Sequence, residues 1–152
     1  MKFLAALLLT LTVSALDGTV VKVSDGDTIT VLDAAKVQHK IRFYGIDAPE
    51  SKQAFGQKSK ENLATLVAGK AVHVEEHGTD RYGRTIGEVM VDGKSANLAQ
   101  VTGGFAWHYV QYTPKDKPLA DAEKAARAAK LGLWADAAPQ APWEFRKAAK
   151  KP

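Results

Sequence analysis

Between residues 18 and 44 the chain alternates apolar and polar side chains in three successive runs, and the breaks between the runs are turn chemistry rather than helix starts. Residues 18–24 form the first run, 27–32 follow directly on the Asp25-Gly26 turn signal, and 37–44 make the third. A period of two cannot present one face of a helix, so this stretch is constrained to an antiparallel meander. Two further runs, 71–75 and 85–91, have the same character, and the second stops at another turn signal, Asp92-Gly93.

Helical spacing interrupts the strands. Phe55, Leu63, Leu66 and Val67 recur on one face of a segment spanning 52–68, with Gly69 as its stop, and a short helix from 95 or 96 to 102 ends at Gly103-Gly104. Residues 118–130 carry fuller punctuation: Asp116 as N-cap, Pro118 in the first turn and Gly132 past the end. Their stripe of Leu119, Ala122, Ala126, Ala129 and Leu133 is expected to pack on the barrel. Short strands with helices inserted and appended predict a mainly β fold with α, a five-stranded OB-type barrel plus three helices.

The 152 residues, 45% of them hydrophobic, suffice for one domain with a core. Residues 1–15 have the layout of an export signal: Lys2 as a basic start, an apolar run from 3 to 13, and small residues at Ser14 and Ala15. That run is too short to span a bilayer. The expected organisation is therefore a leader over 1–15, a domain over 16–135, and a tail over 136–152 that is rich in Pro and Ala and then basic, irregular on the domain before fraying. The product would be a periplasmic or extracellular monomer without stable membrane association once the leader is cut.

Cysteine is absent, which excludes disulfides, thiolate catalysis and thiolate metal sites. Any metal must be held by oxygen or imidazole. The net charge of +4 comes from the end of the chain, where Arg146, Lys147, Lys150 and Lys151 crowd together; residues 16–143 carry 16 Lys plus Arg against 16 Asp plus Glu. A general basic surface therefore gives no argument for nucleic acid, and specific residues must do so.

Those residues cluster at the ends of expected strands. In Ser24-Asp25-Gly26-Asp27-Thr28, Asp25 reads as a turn former, whereas Asp27 shares the parity of Ile29 and Val31 and points inward. An inward carboxylate either protects an edge or faces a cation. Asp47 and Glu50, placed around Pro49, add two more carboxylates and make a hard-oxygen set suited to Ca²⁺ or Mg²⁺, with the Ala48 carbonyl turned the same way by the proline. Arg42 and Arg84 offer planar forks for phosphate oxygens, or ordinary surface ion pairs. On straight-strand parity Arg42 and Asp47 face opposite sides, and a bend at Gly45 between them would bring them together. Tyr82, Tyr109 and Tyr112 are candidates for nucleotide contact or for barrel packing. His39, His73, His77 and His108 match no catalytic position.

The stretches VSDGDTITV, IRFYGIDAPES, TDRYGRTIG, DGKSANLAQVTGGFAW and KLGLW together resemble, in the same order, the staphylococcal (micrococcal) nuclease or thermonuclease family, from about Gly18 to Trp134. The resemblance implies Ca²⁺-dependent cleavage of DNA and RNA with little sequence preference, giving 3′-phosphate ends. It implies Asp27, Asp47 and the Ala48 carbonyl as Ca²⁺ ligands, Arg42 and Arg84 on the scissile phosphate, and Glu50 as general base or water-orienting carboxylate. Ala48 stands where the type member has a hydroxyl residue, and the segment from Glu50 to the first helix is shorter. The rival reading is a non-catalytic OB-type module that binds nucleic acid or protein, since such barrels often only bind; retention of all five charged residues argues against it.

Overall fold

The computed structural model describes residues 14–151, so the expected leader lies outside the described residues except for Ser14 and Ala15. Strand β1 (Ala15–Asp25) is long enough to serve two neighbours. Its first part pairs with β5 (Ala71–Thr79), from Ala15 opposite Glu75 to Thr19 opposite Ala71; its second pairs with β2 (Thr28–Leu32), from Thr19 opposite Leu32 to Asp25 opposite Thr28. Irregular register between Val20 and Lys22, and again between Val23 and Asp25, bends the strand from one partner to the other.

The sheet then closes. Strand β3 (Gln38–Phe43) pairs antiparallel with β2 and parallel with β6 (Thr85–Val91), where Ile41 meets Thr85 and Arg42 meets Ile86, while β6 also pairs with β5. The five strands form the expected closed barrel, which leaves no long free edge among the described residues. Ile29, Val31, Ile41, Phe43, Val74 and Val89, each at most 1% exposed, fill it. Burial of a side chain of this size contributes about 1.5–3 kcal/mol.

Two-residue strands too short to show a period complete the sheets: β4 (Ile46–Asp47) pairs with β8 (Trp107–His108), and β7 (Lys94–Ser95) hairpins onto β6. Helix α1 (Gly56–Val67) plugs the barrel with Leu63 and Val67, and α2 (Ala96–Thr102) adds Val101. The anticipated cap of α3 (Lys117–Ala128) is present, Asp116 accepting from the Leu119 N–H at 3.0 Å, and α2 has a cap of its own in Ser95, which accepts from the Leu98 N–H at 3.1 Å.

The sequence expectation of three helices is corrected to four among the described residues, with a 3₁₀ turn over Gly132–Ala135. Residues 136–152, expected as an irregular tail, contain α4 (Pro142–Ala149). The stripe of α3 also divides: Leu119 and Ala122 meet the barrel core, whereas Ala126 and Leu133 join Trp107, Trp134 and Ala141 in a second apolar cluster, and Ala129 is exposed. That second cluster is the seat on which Trp143 of α4 packs.

Candidate active site

The turn between β1 and β2 sets the first two carboxylates. Asp25 accepts from the Asp27 N–H at 3.0 Å, as a turn former should, and Gly26 is required for close approach: a Cβ there would lie 1.9 Å from Ser59 Oγ and 2.8 Å from the Ala48 Cβ. Asp27 is 5% exposed; its Oδ1 accepts from the Thr28 hydroxyl at 3.0 Å and its Oδ2 from the Ala48 N–H at 2.7 Å. Burial first, and the neighbouring Asp27 charge second, push the Asp25 carboxyl up to about 7.

Arg42 and Asp47 do meet, because Gly45 turns the chain with φ of 74° between β3 and β4. Arg42 Nη1 then donates to the Phe43 and Ile46 carbonyls, each at 2.8 Å, and Nη2 donates to Asp47 Oδ1 at 3.1 Å while lying 3.3 Å from Asp27 Oδ2. The arginine thus clamps the bend that creates its own site. Asp47 is 1% exposed, and burial pushes its carboxyl up against the opposing hydrogen bond from Arg146.

Glu50 stands on the short loop after Pro49. Gln53 pins that loop, its N–H donating to the Glu50 carbonyl at 2.8 Å and its Oε1 accepting from the Glu50 N–H at 3.1 Å, while its Nε2 reaches the Gln140 carbonyl at 2.6 Å. Arg146 is the residue that sequence reasoning passed over. Its Nη2 donates to Asp47 Oδ2 at 2.7 Å, and its Nη1 donates to Asp47 Oδ1 at 3.1 Å and Glu50 Oε1 at 2.7 Å. The hydrogen bonds to Asp47, and then to Glu50, raise the guanidinium above its ordinary value. The missed signal was a helix signature: Pro142 in the first turn, Glu144 beside it, and Arg146 and Lys147 in the last turn.

Asp27, Arg42, Asp47 and Ala48 therefore form one network, which Glu50 joins through Arg146, and Arg84 is not bonded to it. Arg84 precedes β6, two residues before the partner of Arg42; its Nε donates to Asp80 Oδ2 at 2.6 Å, and among the described residues its two Nη groups have no hydrogen-bond partner. The fork is left free. Tyr82, 68% exposed, lies beside it with the Arg84 guanidinium 5.5 Å from its ring centre. Tyr109 instead borders the acidic network, where burial, the Asp47 charge and Tyr112 raise its phenol above its usual value; its ring stacks on Trp143 at 5.4 Å and meets Tyr112 edge-on at 4.7 Å.

The donor set suits a hard cation. Asp27 and Asp47 present carboxylate oxygens, and the carbonyl of buried Ala48 accepts no hydrogen bond from the described residues. The three acids do not close to the spacing of a compact ligand trio, because Arg42 lies between Asp27 and Asp47 and Arg146 between Asp47 and Glu50. A second group, Glu75, His77 and Glu88, does bring its ligand atoms within 4.8 Å of one another on β5 and β6, with His77 lying flat on Tyr44 at 3.9 Å. The other histidines are structural: His39 bonds Asp33, His73 bonds Asp17, and buried His108 bonds the Thr113 carbonyl.

The family model described as staphylococcal nuclease homologue matches residues 40–136, more than half of the chain. The chain belongs to that family. An uncharacterized endonuclease of Escherichia coli O157:H7 is 47% identical over 130 residues, covering 85% of this chain and 84% of that protein. An uncharacterized endonuclease of Haemophilus influenzae is 45% identical over 128 residues, 84% of this chain and 71% of that protein. The micrococcal nuclease of Shigella flexneri is 41% identical over 143 residues, 88% and 82% respectively. As a staphylococcal nuclease homologue the chain is a phosphodiester-hydrolysing nuclease. The matched stretch holds Arg42, Asp47, Glu50 and Arg84, while Asp27 precedes it and Arg146 follows it.

Proposed function

We propose that this nuclease is exported, depends on Ca²⁺, and cleaves both DNA and RNA with little sequence preference to leave 3′-phosphate ends. The observation that carries the reading is the convergence of two buried carboxylates, a free backbone carbonyl, an arginine clamp and a half-exposed carboxylate at one mouth of the barrel. Asp27, Asp47 and the Ala48 carbonyl would hold the ion, which when bound supplies positive charge to a phosphate oxygen and acidifies water.

The chain's own groups account for the remaining requirements. Glu50 lies next to the ligand set and is 37% exposed at its side chain, so it accepts the proton of an incoming water while remaining accessible to it. The water oxygen bonds to phosphorus as the P–O5′ bond breaks, which leaves the phosphate on the 3′ side and a 5′-hydroxyl. Arg42, and Arg84 through its free Nη pair, neutralise the charge that gathers on the phosphoryl oxygens. Contacts to phosphate rather than to base edges carry no sequence information, which fits a substrate range of DNA and RNA. Tyr82, Tyr109 and Tyr112 supply faces for bases next to the scissile bond.

Incubating the purified protein with denatured DNA and with RNA, in Ca²⁺ and in chelator, tests this. Cleavage of both polymers in Ca²⁺ only, with ends that accept label after phosphatase treatment at the 3′ side, is the expected result. Intact polymer that is nonetheless bound in both tubes would favour a binding module. Export rests on the leader pattern, and no helix among the described residues is long and apolar enough to cross a membrane.

A further inference from the structure

We propose that Arg146 is a positioning residue of the nuclease site, delivered by the C-terminal helix, which orients Glu50 and competes with the metal for Asp47. The proposal rests on the nuclease reading above. Among the described residues, Arg146 is the only hydrogen-bond partner of the Glu50 carboxylate, at 2.7 Å, and the same guanidinium grips both oxygens of Asp47 at 2.7 and 3.1 Å. One planar fork therefore fixes the distance between the water-directing carboxylate and a metal-binding one.

The helix that carries the fork is anchored on the site itself. Trp143, three residues before Arg146 and hence on the same helical face, stacks on Tyr109 at 5.4 Å and 4° and meets Trp107 edge-on at 5.4 Å. Trp107 is the strand partner of Asp47 in the β4–β8 pair. Gln53 ties the Glu50 loop to Gln140, two residues before the helix, through its carbonyl at 2.6 Å. Position is thus transmitted to Arg146 from both carboxylates it holds.

A cation in this place has two opposing effects. Aligning Glu50 raises turnover, whereas a fixed positive charge on Asp47 repels a divalent ion drawn to the same carboxylate. A merely structural arginine would not separate the two. Mature full-length Arg146→Gln should bind Ca²⁺ about tenfold more tightly by calorimetry without nucleic acid, while its kcat on denatured DNA at saturating Ca²⁺ falls about 10- to 100-fold and KM for DNA changes by less than about threefold. Arg146→Lys should keep wild-type Ca²⁺ affinity but not recover kcat, because one ammonium cannot span both carboxylates.

Unchanged or weaker Ca²⁺ binding by Arg146→Gln, or wild-type turnover, would overturn the proposal. If Arg146→Gln fails to fold, a kcat loss in Arg146→Lys at an unchanged melting temperature supports it and full turnover refutes it. Wild-type protein that binds Ca²⁺ but cuts nothing would instead refute the nuclease reading, and the calorimetric comparison would still decide the competition at Asp47.

Discussion

At the scale of single residues, the two aspartates of one hairpin illustrate what a motif can and cannot convey. Asp25 does shape the turn, through its bond to the Asp27 N–H, but it also stands in the field of Asp27, which the one-dimensional pattern does not reveal. Its carboxyl titrates near 7 in the fold and near 3.8 in the unfolded chain, so between those values the folded state binds more protons and stability falls as pH rises. Asp25→Asn removes that loss and can keep the turn hydrogen bond. In chelator, its melting temperature should exceed the wild type's at pH 8 and coincide with it near pH 4; an equal difference at both values would contradict the assignment. Gly26 holds a comparable lesson, since its need is space rather than left-handed backbone. Gly26→Ala forces Ser59 and Ala48 apart and should cost about 1–3 kcal/mol in urea unfolding, and a neutral result would mean that α1 yields easily.

Among elements, those with a period or a cap could be read in advance, and those without could not. The five barrel strands followed alternation, α2 its Gly103-Gly104 stop and α3 its Asp116 cap; the two-residue strands β4, β7 and β8 exist only through their partners. Helix α4 was obscured because its Pro- and Ala-rich approach reads as linker, and because Arg146 meets residues 99 and 96 positions earlier in the chain. Nothing local marks so distant a contact. Trp143→Ala removes the stack on Tyr109 and should destabilise the protein by about 2 kcal/mol while lowering kcat with Arg146 still present. Full activity with the same loss of stability would separate the helix from the site.

For the whole molecule, barrel closure by the parallel β3–β6 pair is what sets Arg42 beside the strand that Arg84 introduces, so the proposed phosphate-binding pair depends on topology as much as on motif. The acidic and arginine residues were legible because their types and spacing are specific; their mutual arrangement, with arginines wedged between the acids, required the fold. The proposed leader belongs to this scale as well. Intact-mass measurement of protein recovered from outside the cytoplasm should show the loss of residues 1–15, and retention of the full 152 would refute cleavage there. The central claim, that this acidic and arginine cluster carries hydrolysis, is tested most directly by the single-turnover rate of Glu50→Gln on denatured DNA at saturating Ca²⁺. A fall of about 10²- to 10³-fold at an unchanged melting temperature is predicted, and a rate within about threefold of wild type would contradict it.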